Sequence, residues 1–363
     1  MKKTTIVISG INVTNSGILS IMTDCLTELV DYSKDKDIRI IALVHSKSLF
    51  SIPNIEYIEF PKSKKSWFNR MYYEYFYFKK LSQELDADFW FSIQDLSPYV
   101  VSKKRFVYCH NPSPFYKPTL HDWLYGFRIC FFAWFYKYAY RFNIQSNTAV
   151  FVQQQWIKNQ FENWYRISNI KVMHPETQVI VERSTVTLNQ EKINLFYPSF
   201  PRMFKNMEYL CEAILLLPTD IREKIKLYIT ISGNENSYAK KIVSKYQKHP
   251  QFQFIGALDR ATVSGYYNEM DALVFPSKLE TWGLPLTETK EYNKPIFVSD
   301  LPYAHETVGH YDKVCFIDLN DPNDLAQKIQ LFAQGKLLYS QPNNSKQPDF
   351  VGWKPLFDFI INE

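Results

Sequence analysis

Short runs rich in Val, Ile and Phe alternate with longer segments of helical period along almost the whole chain, and this alternation narrows the fold more than any other feature. Thr5–Ile8, Ile38–Val44, Phe89–Ile93, Phe106–Cys109, Ala149–Val152 and Ile170–Met173 read as strands. Runs this short and apolar fit strands buried on both faces. Between the first two, Ile18 to Val30 puts Ile18, Ile21, Met22, Cys25, Leu26 and Leu29 on one helical face. Strands that alternate with helices predict a parallel sheet covered on both sides. The pattern stops at residues 176–191, which are polar and without period, and then restarts. Ile193–Tyr197, Leu227–Ile231, Phe252–Ile255, Ala272–Phe275, Ile296–Val298 and Val314–Ile317 form a second strand series. Residues 338–349 read as another connector, and Trp353–Ile361 as a last amphipathic helix. A length of 363 residues accommodates two such α/β domains.

Composition excludes several classes. The five cysteines are scattered and form no CxxC pair, which argues against a disulfide framework or a zinc site and for a reducing compartment. A net charge of +5 with mixed signs is too mild to indicate nucleic acid, and fits an anionic small ligand or an anionic membrane surface. Near the N-terminus the apolar run Ile6–Ile8 is too short for a signal peptide and reads as a strand. No 18-residue uninterrupted apolar stretch is present, so no spanning helix is expected.

In open α/β sheets ligands bind beyond the carboxyl ends of the strands, so residues just after each strand carry the functional expectation. Glu280 lies in the polar loop after Ala272–Phe275, and Glu288 lies on the helix that Gly283 and Leu284 open. Two acceptors so placed can hold two hydroxyl-bearing parts of one polar ligand. Gly10 to Gly17 follows the first strand, and reads either as an ordinary turn or as an anion loop at a helix N-terminus. It lacks both GxGxxG and the Walker ending. His110 follows Phe106–Cys109 and reads either as a buried loop histidine or as a donor to phosphate, sugar hydroxyl or proton. Arg202 and Lys205 follow Ile193–Tyr197 as a helix opens, either as surface charge or as a diphosphate site. Two stretches, Lys64–Leu81 and Trp123–Phe142, interleave aromatic and basic residues. Each fits a core-facing helix or a membrane interface.

Taken together these segments resemble the retaining glycosyltransferases of the GT-B superfamily, glycosyltransferase family 4 or group 1. The resemblance is densest over residues 193–320: Phe254-Ile-Gly256-Ala, Tyr266 to Ser277, Glu280-Thr-Trp-Gly-Leu-Pro-Leu-Thr-Glu288 as the E-x7-E motif, and Lys294 to Asp300. The first half is similar more loosely, through Asn15-Ser-Gly17, the His110 segment and Phe151–Gln155; Trp353 and its helix resemble the crossover helix that ends this fold. The resemblance implies two Rossmann-like doubly wound domains facing a central cleft. Residues 1–175 with 350–363 would take the acceptor, and 190–340 a nucleotide-sugar donor. It assigns sugar hydroxyls to Glu280, ribose to Glu288, and sugar or phosphate to the backbone at Gly283 and Leu284. Lys205 takes the diphosphate, Gly17 lets the first helix abut it, His110 lies near the sugar, and Gly256 belongs to the donor-binding set. The family's companion arginine position holds Ser199 or Phe200 here, with Arg202 nearby as a substitute.

The chemistry implied is sugar transfer from a nucleotide diphosphate to a glycan or lipid-linked acceptor in cell-surface polysaccharide or glycolipid biosynthesis. It is expected to be retaining, with no metal and no other cofactor, since cations and helix N-termini can stabilise the leaving group and no Asp-x-Asp motif occurs. The expected location is cytoplasmic, peripheral at the inner face of the membrane, with no nucleic-acid partner. A non-catalytic protein of this fold and a nucleotide-sugar epimerase are the alternatives. A glycosidase pair fits less well, because the two glutamates are divided between sugar and ribose.

Overall fold

Two parallel sheets organise the computed structural model, which describes residues 3–14, 16–118, 120–176, 186–341 and 346–362. In chain order the strands are β1 (Thr4–Gly10), β2 (Ile38–Val44), β3 (Glu56–Glu59), β4 (Phe89–Ser92), β5 (Lys104–Cys109), β6 (Ala149–Val152) and β7 (Ile170–His174). They continue as β8 (Ile193–Tyr197), β9 (Ile225–Ile229), β10 (Phe252–Phe254), β11 (Ala272–Phe275), β12 (Ile296–Ser299), β13 (Val314–Ile317) and β14 (Phe350–Val351). One sheet runs β14-β7-β6-β5-β4-β1-β2-β3 and the other β10-β9-β8-β11-β12-β13. Both therefore have the doubly wound order, in which the third, second and first strands are followed by the fourth, and the direction of winding reverses beside the first strand.

By contacts the chain divides into two units. One comprises Met1–Pro114, Ala133–Glu176 and Gln347–Glu363, the other Phe115–Phe132 and Thr177–Lys346. Residues 115–132, expected in the first domain, group with the second, where the Tyr116 ring packs 5.6 Å from Phe204. Of the polar connector 176–191, residues 177–185 lie outside the described residues, as do 342–345 of the second connector.

In the first unit Ile6 pairs with Ile40 on one side and Phe89 on the other. Ile6, Ile8, Phe91 and Tyr108 project into one core, while Val7, Ile41 and Trp90 fill the other. A two-sided core is what the unbroken apolar runs imply. Two strands lack such runs. Edge strand β3 is half exposed, and β14 has two residues. The final helix, Trp353–Asn362, buries Trp353, Leu356, Phe357 and Ile360 in the same core as Leu26 and Leu29 of the first helix, Ser16–Tyr32. Tyr32 donates to Asp358 at 2.8 Å, and β14 pairs with β7 through Phe350 and Met173. The end of the chain is thus part of the first unit's core. Truncating the fully buried Leu356 to Ala is expected to cost about 2–5 kcal/mol, whereas Val351→Ala on the exposed edge stays within about 0.5 kcal/mol. Urea unfolding of the two variants measures the contrast.

Candidate functional site

The second unit gathers most of the expected residues at the carboxyl ends of its strands. Strand β11 is wholly buried, and Pro276 ends it. The loop that follows is clamped from several elements. The Ser277 carbonyl accepts from the Ser299 hydroxyl at 2.7 Å and from the Tyr303 hydroxyl at 2.9 Å. Further along, the Thr307 hydroxyl donates to the Trp282 carbonyl at 2.5 Å, and the Trp282 indole donates to Thr287 at 2.9 Å. Gly283 then takes φ +88°, a left-handed conformation that glycine adopts without steric cost. A Cβ there would also stand 3.2 Å from Leu286. The helix Leu284–Glu291 starts from that turn with Pro285 in its first positions, where a missing N–H costs nothing.

Glu280 and Lys205 meet. Lys205 Nζ lies 2.5 Å from Glu280 Oε1, with both side chains largely buried. Lys205 closes the short 3-10 turn Met203–Lys205 after β8, and Glu280 comes from the loop after β11. Strands β8 and β11 are neighbours at the point where the winding of this sheet reverses, so the pair spans the crevice in which ligands of doubly wound sheets bind. The Tyr197 hydroxyl donates to the Lys205 carbonyl at 2.6 Å and lies 3.2 Å from the Ser277 hydroxyl, tying the two ends together. The ammonium also sits 5.4 Å from the centre of the Phe275 ring. A pair so enclosed is held by geometry, and removing either partner would leave the other charge poorly compensated.

Glu288 is held separately. Tyr267, buried beneath it, donates to its Oε2 at 2.7 Å. Burial pushes the Glu288 carboxyl above the usual range, while the Tyr267 hydrogen bond and Arg260 act the other way. The two glutamates therefore stand on different supports, Lys205 for one and Tyr267 for the other. Tyr267 lies in the Tyr266–Ser277 segment that carries the resemblance, but nothing in the sequence marked it as the partner of Glu288. Arg202 precedes the 3-10 turn and is exposed, with its guanidinium 5.7 Å from the Phe200 ring. Desolvation lowers its pKa while the charge of Glu280 opposes the shift, so Arg202 stands at the rim of the site that Lys205 occupies. Gly256 follows β10 with φ +70° and ample room around its Cα, so its backbone conformation is what requires glycine. Close by, the backbone N–H groups of Ser232 and Gly233 after β9 are capped by the Glu235 carboxylate at 2.6 and 2.9 Å.

In the first unit, Gly17 lies exposed in the first turn of helix Ser16–Tyr32, and Asn15 before it is outside the described residues. His110 follows β5 and is buried. Its surroundings were not anticipated. Asp95, in a left-handed conformation after β4 (φ +74°), accepts from the backbone N–H of His110 at 2.9 Å and of Asn111 at 3.1 Å. Tyr140 and Tyr136 donate to the same carboxylate at 2.9 and 3.3 Å, and His110 Nε2 lies 3.9 Å from it. Burial lowers the His110 pKa from its ordinary value, with Asp95 opposing and Arg70 reinforcing the shift, so the imidazole is neutral at pH 7. Behind Asp95, Arg70 donates to the Gln94 carbonyl at 2.6 Å. The Gln94 amide donates to Glu74, and the Asn12 N–H donates to Gln94 Oε1 at 2.8 Å, joining the ends of β1 and β4 at the reversal point of this sheet. Glu74 lies in a π-helical turn, Tyr73–Tyr77, a distortion common at functional sites. Asp95 could have been suspected from its position after a strand; the burial of Glu74 inside an aromatic-basic run could not.

Residues 181–347 match the family described as glycosyl transferases group 1. Over 134 residues the chain is 25% identical to the O-antigen biosynthesis glycosyltransferase WclY of Escherichia coli, a match covering 36% of this chain and 36% of that protein. The matched stretch thus spans about a third of that relative's length. Among solved structures, the chain superposes on WaaG, a glycosyltransferase involved in lipopolysaccharide biosynthesis, with a TM-score of 0.69, 15% identity and coverage of 99% of this chain and 100% of that one. It also superposes on Anabaena HepE in complex with UDP and glucose, with a TM-score of 0.62, 12% identity and coverage of 91% and 90%. These likenesses and the two doubly wound sheets establish the GT-B fold.

The buried carboxyl of Glu74, pushed up to about 7 chiefly by burial, gives a pH-dependent prediction. Its folded-state pKa is raised, so the native state holds the proton more tightly than the unfolded chain, and stability falls as pH rises from about 4.5 to about 7. Glu74→Gln removes this loss. Its stability relative to wild type should rise across that window by up to about 3 kcal/mol, at ~1.4 kcal/mol per pH unit, and level off above it. Urea unfolding of both proteins at a series of pH values measures the difference.

Proposed function

We propose that this chain is a glycosyltransferase of the family 4 kind, which moves a sugar from a nucleoside-diphosphate donor to a glycan or lipid-linked acceptor with retention and without a metal. The observation that carries the reading is the Lys205–Glu280 pair across the strand-reversal crevice of the segment that matches the glycosyltransferase family. A departing nucleoside diphosphate develops negative charge. Lys205 would meet that charge as a preplaced ammonium, aided by the N-terminus of helix Leu284–Glu291 and by its Gly283-Leu284 backbone. Arg202, at the rim, would add to the potential of the site without replacing Lys205. As Lys205 turns to the phosphates, Glu280 becomes available to sugar hydroxyls and to positive charge on the ring in the transition state. Glu288, oriented by Tyr267, would accept from the ribose hydroxyls, and Gly256 lets the chain pass close to the donor. In the front-face path the leaving phosphate helps to deprotonate the acceptor, so no side chain serves as a nucleophile.

Gly17 and His110 enter the proposal from the first unit, through the strand ends on which they stand. A neutral, buried His110 held by Asp95 is suited to hydrogen-bonding a sugar hydroxyl. The likeness to HepE, whose structure contains UDP and glucose, supports a nucleotide-sugar donor, and the roles of WclY and WaaG support surface-polysaccharide biosynthesis. An acceptor of that kind would be met at the cytoplasmic face of the membrane.

The reading is tested with a panel of nucleoside diphosphates and nucleotide sugars. A cognate nucleotide at 100 times its Kd should stabilise the protein by about 2.7 kcal/mol. Lys205→Ala should weaken that nucleotide at least about tenfold, the loss of one charge-assisted contact. Glu280→Gln should keep nucleotide affinity but lower turnover about 10²–10³-fold, as for loss of one transition-state contact. Transfer should persist in EDTA. Donor consumed without an acceptor, and yielding an isomerised sugar, would identify an epimerase instead.

A further inference from the structure

The first aromatic-basic stretch and the C-terminal part of the second fold into neighbouring helical segments of the first unit whose outer faces remain apolar. The first is continuous from Trp67 to Glu84 through its π turn; the second is the C-terminal part of helix Leu120–Arg141. They lie side by side. Trp67 stacks on Tyr136 at 5.9 Å, and Tyr75 meets Phe142 edge-on at 5.5 Å. The inner faces hold Arg70, Glu74, Phe78, Tyr136 and Tyr140. The outer faces carry Phe68, Tyr72 and Phe76 on one segment and Trp134 and Tyr138 on the other, with Phe142 just past its end. The spacing of four residues between members aligns each set on one side of its helix. Phe68 is 87% exposed, Phe76 72%, Trp134 60% and Phe142 58%. Exposed aromatic side chains clustered in this way mark an interaction surface.

Charge selects the partner. Between residues 62 and 84 the two acidic side chains are Glu74, which is buried, and Glu84, 3.4 Å from Lys80, against the five exposed lysines Lys62, Lys64, Lys65, Lys79 and Lys80. Residues 133–142 contain Lys137 and Arg141 and no acidic residue. We propose that this face docks on an anionic lipid bilayer, with the aromatic rings in the headgroup region and the lysines on the lipid phosphates. Aromatic rings at an interface flanked by lysines whose stems can reach to the headgroups are the pattern of a surface-lying helix. None of the helices among the described residues is long and apolar enough to cross a membrane, and this surface would hold the protein on the bilayer without crossing it. The surface deepens the transferase reading by naming where a lipid-linked acceptor is met, and depends on that reading only for this consequence.

The test is co-sedimentation with vesicles of phosphatidylcholine alone or with about 30% anionic phosphatidylglycerol, which supplies the negative surface potential that attracts lysines. The proposal expects binding to the anionic vesicles that is at least about tenfold tighter than to the neutral ones and weakens as salt rises. It expects Phe68→Ser/Phe76→Ser and Lys79→Glu/Lys80→Glu each to reduce that binding at least about tenfold. Their substitutions are at exposed positions, so the unfolding transition should stay as in wild type. Absence of wild-type binding overturns the proposal, as does binding that both double variants retain. Self-association in the absence of lipid, lost in Phe68→Ser/Phe76→Ser, would overturn it in favour of a second copy as the occupant. Nucleotide binding is measured on the same samples. Loss of vesicle binding with nucleotide binding intact removes only this surface, and the reverse removes only the donor site.

Discussion

Where a doubly wound sheet reverses its strand order, the connections leave in opposite directions and open a crevice at the strand ends. Everything else in the candidate site depends on how that crevice is lined. In the second unit β8 and β11 bring a cation and a carboxylate to within 2.5 Å of each other. In the first unit β1 and β4 bring Asn12 to Gln94, with the Asp95 network behind them. The same geometry thus produces two polar centres. They differ in what lies at their heart: in the second unit a charged pair with an exposed arginine beside it, in the first a buried network of hydrogen bonds that ends at a neutral imidazole. An ion pair with nearby cations suits a dianionic leaving group, and a neutral histidine suits a hydroxyl.

The strands were legible because parallel strands are buried on both faces and so write themselves as unbroken apolar runs. Twelve strand segments read from the sequence coincide with strands of the two sheets. The two that left no signal, β3 and β14, are at sheet edges, one half exposed and the other two residues long. The E-x7-E spacing located Glu280 and Glu288, but nothing in the spacing revealed that one would pair with Lys205 and the other with Tyr267. Those partners come from the turn after β8 and from the helix Arg260–Glu269, and only the packing of the sheet brings them together. Likewise Arg70 and Glu74 sit four apart in a run of Tyr and Phe, a pattern that fits surface and interior equally. The π turn decides between the two by carrying Glu74 inward, where Gln94 and Arg70 receive it.

The aromatic richness of the chain, with 28 Phe and 25 Tyr, serves two ends that composition alone does not separate. Inside, Phe196 packs against Tyr266 and Tyr267, and Tyr267 holds the second glutamate. Outside, Phe68, Phe76 and Trp134 stand where solvent reaches them. The same helices perform both tasks, with Tyr136 and Tyr140 on Asp95 at one side and Trp134 and Tyr138 at the other. The buried Asp95 network and the exposed aromatic side chains thus share one helix, which links that outer face to the loop that carries His110.

The central claim is that the crevice between β8 and β11 receives a nucleoside diphosphate, and hydrogen–deuterium exchange in the presence of a saturating cognate nucleotide tests it most directly. The account predicts that the added protection is concentrated in residues 199–206 and 276–290, the two segments joined by Lys205 and Glu280. Protection confined to other segments, with these two exchanging as in the free protein, would contradict it.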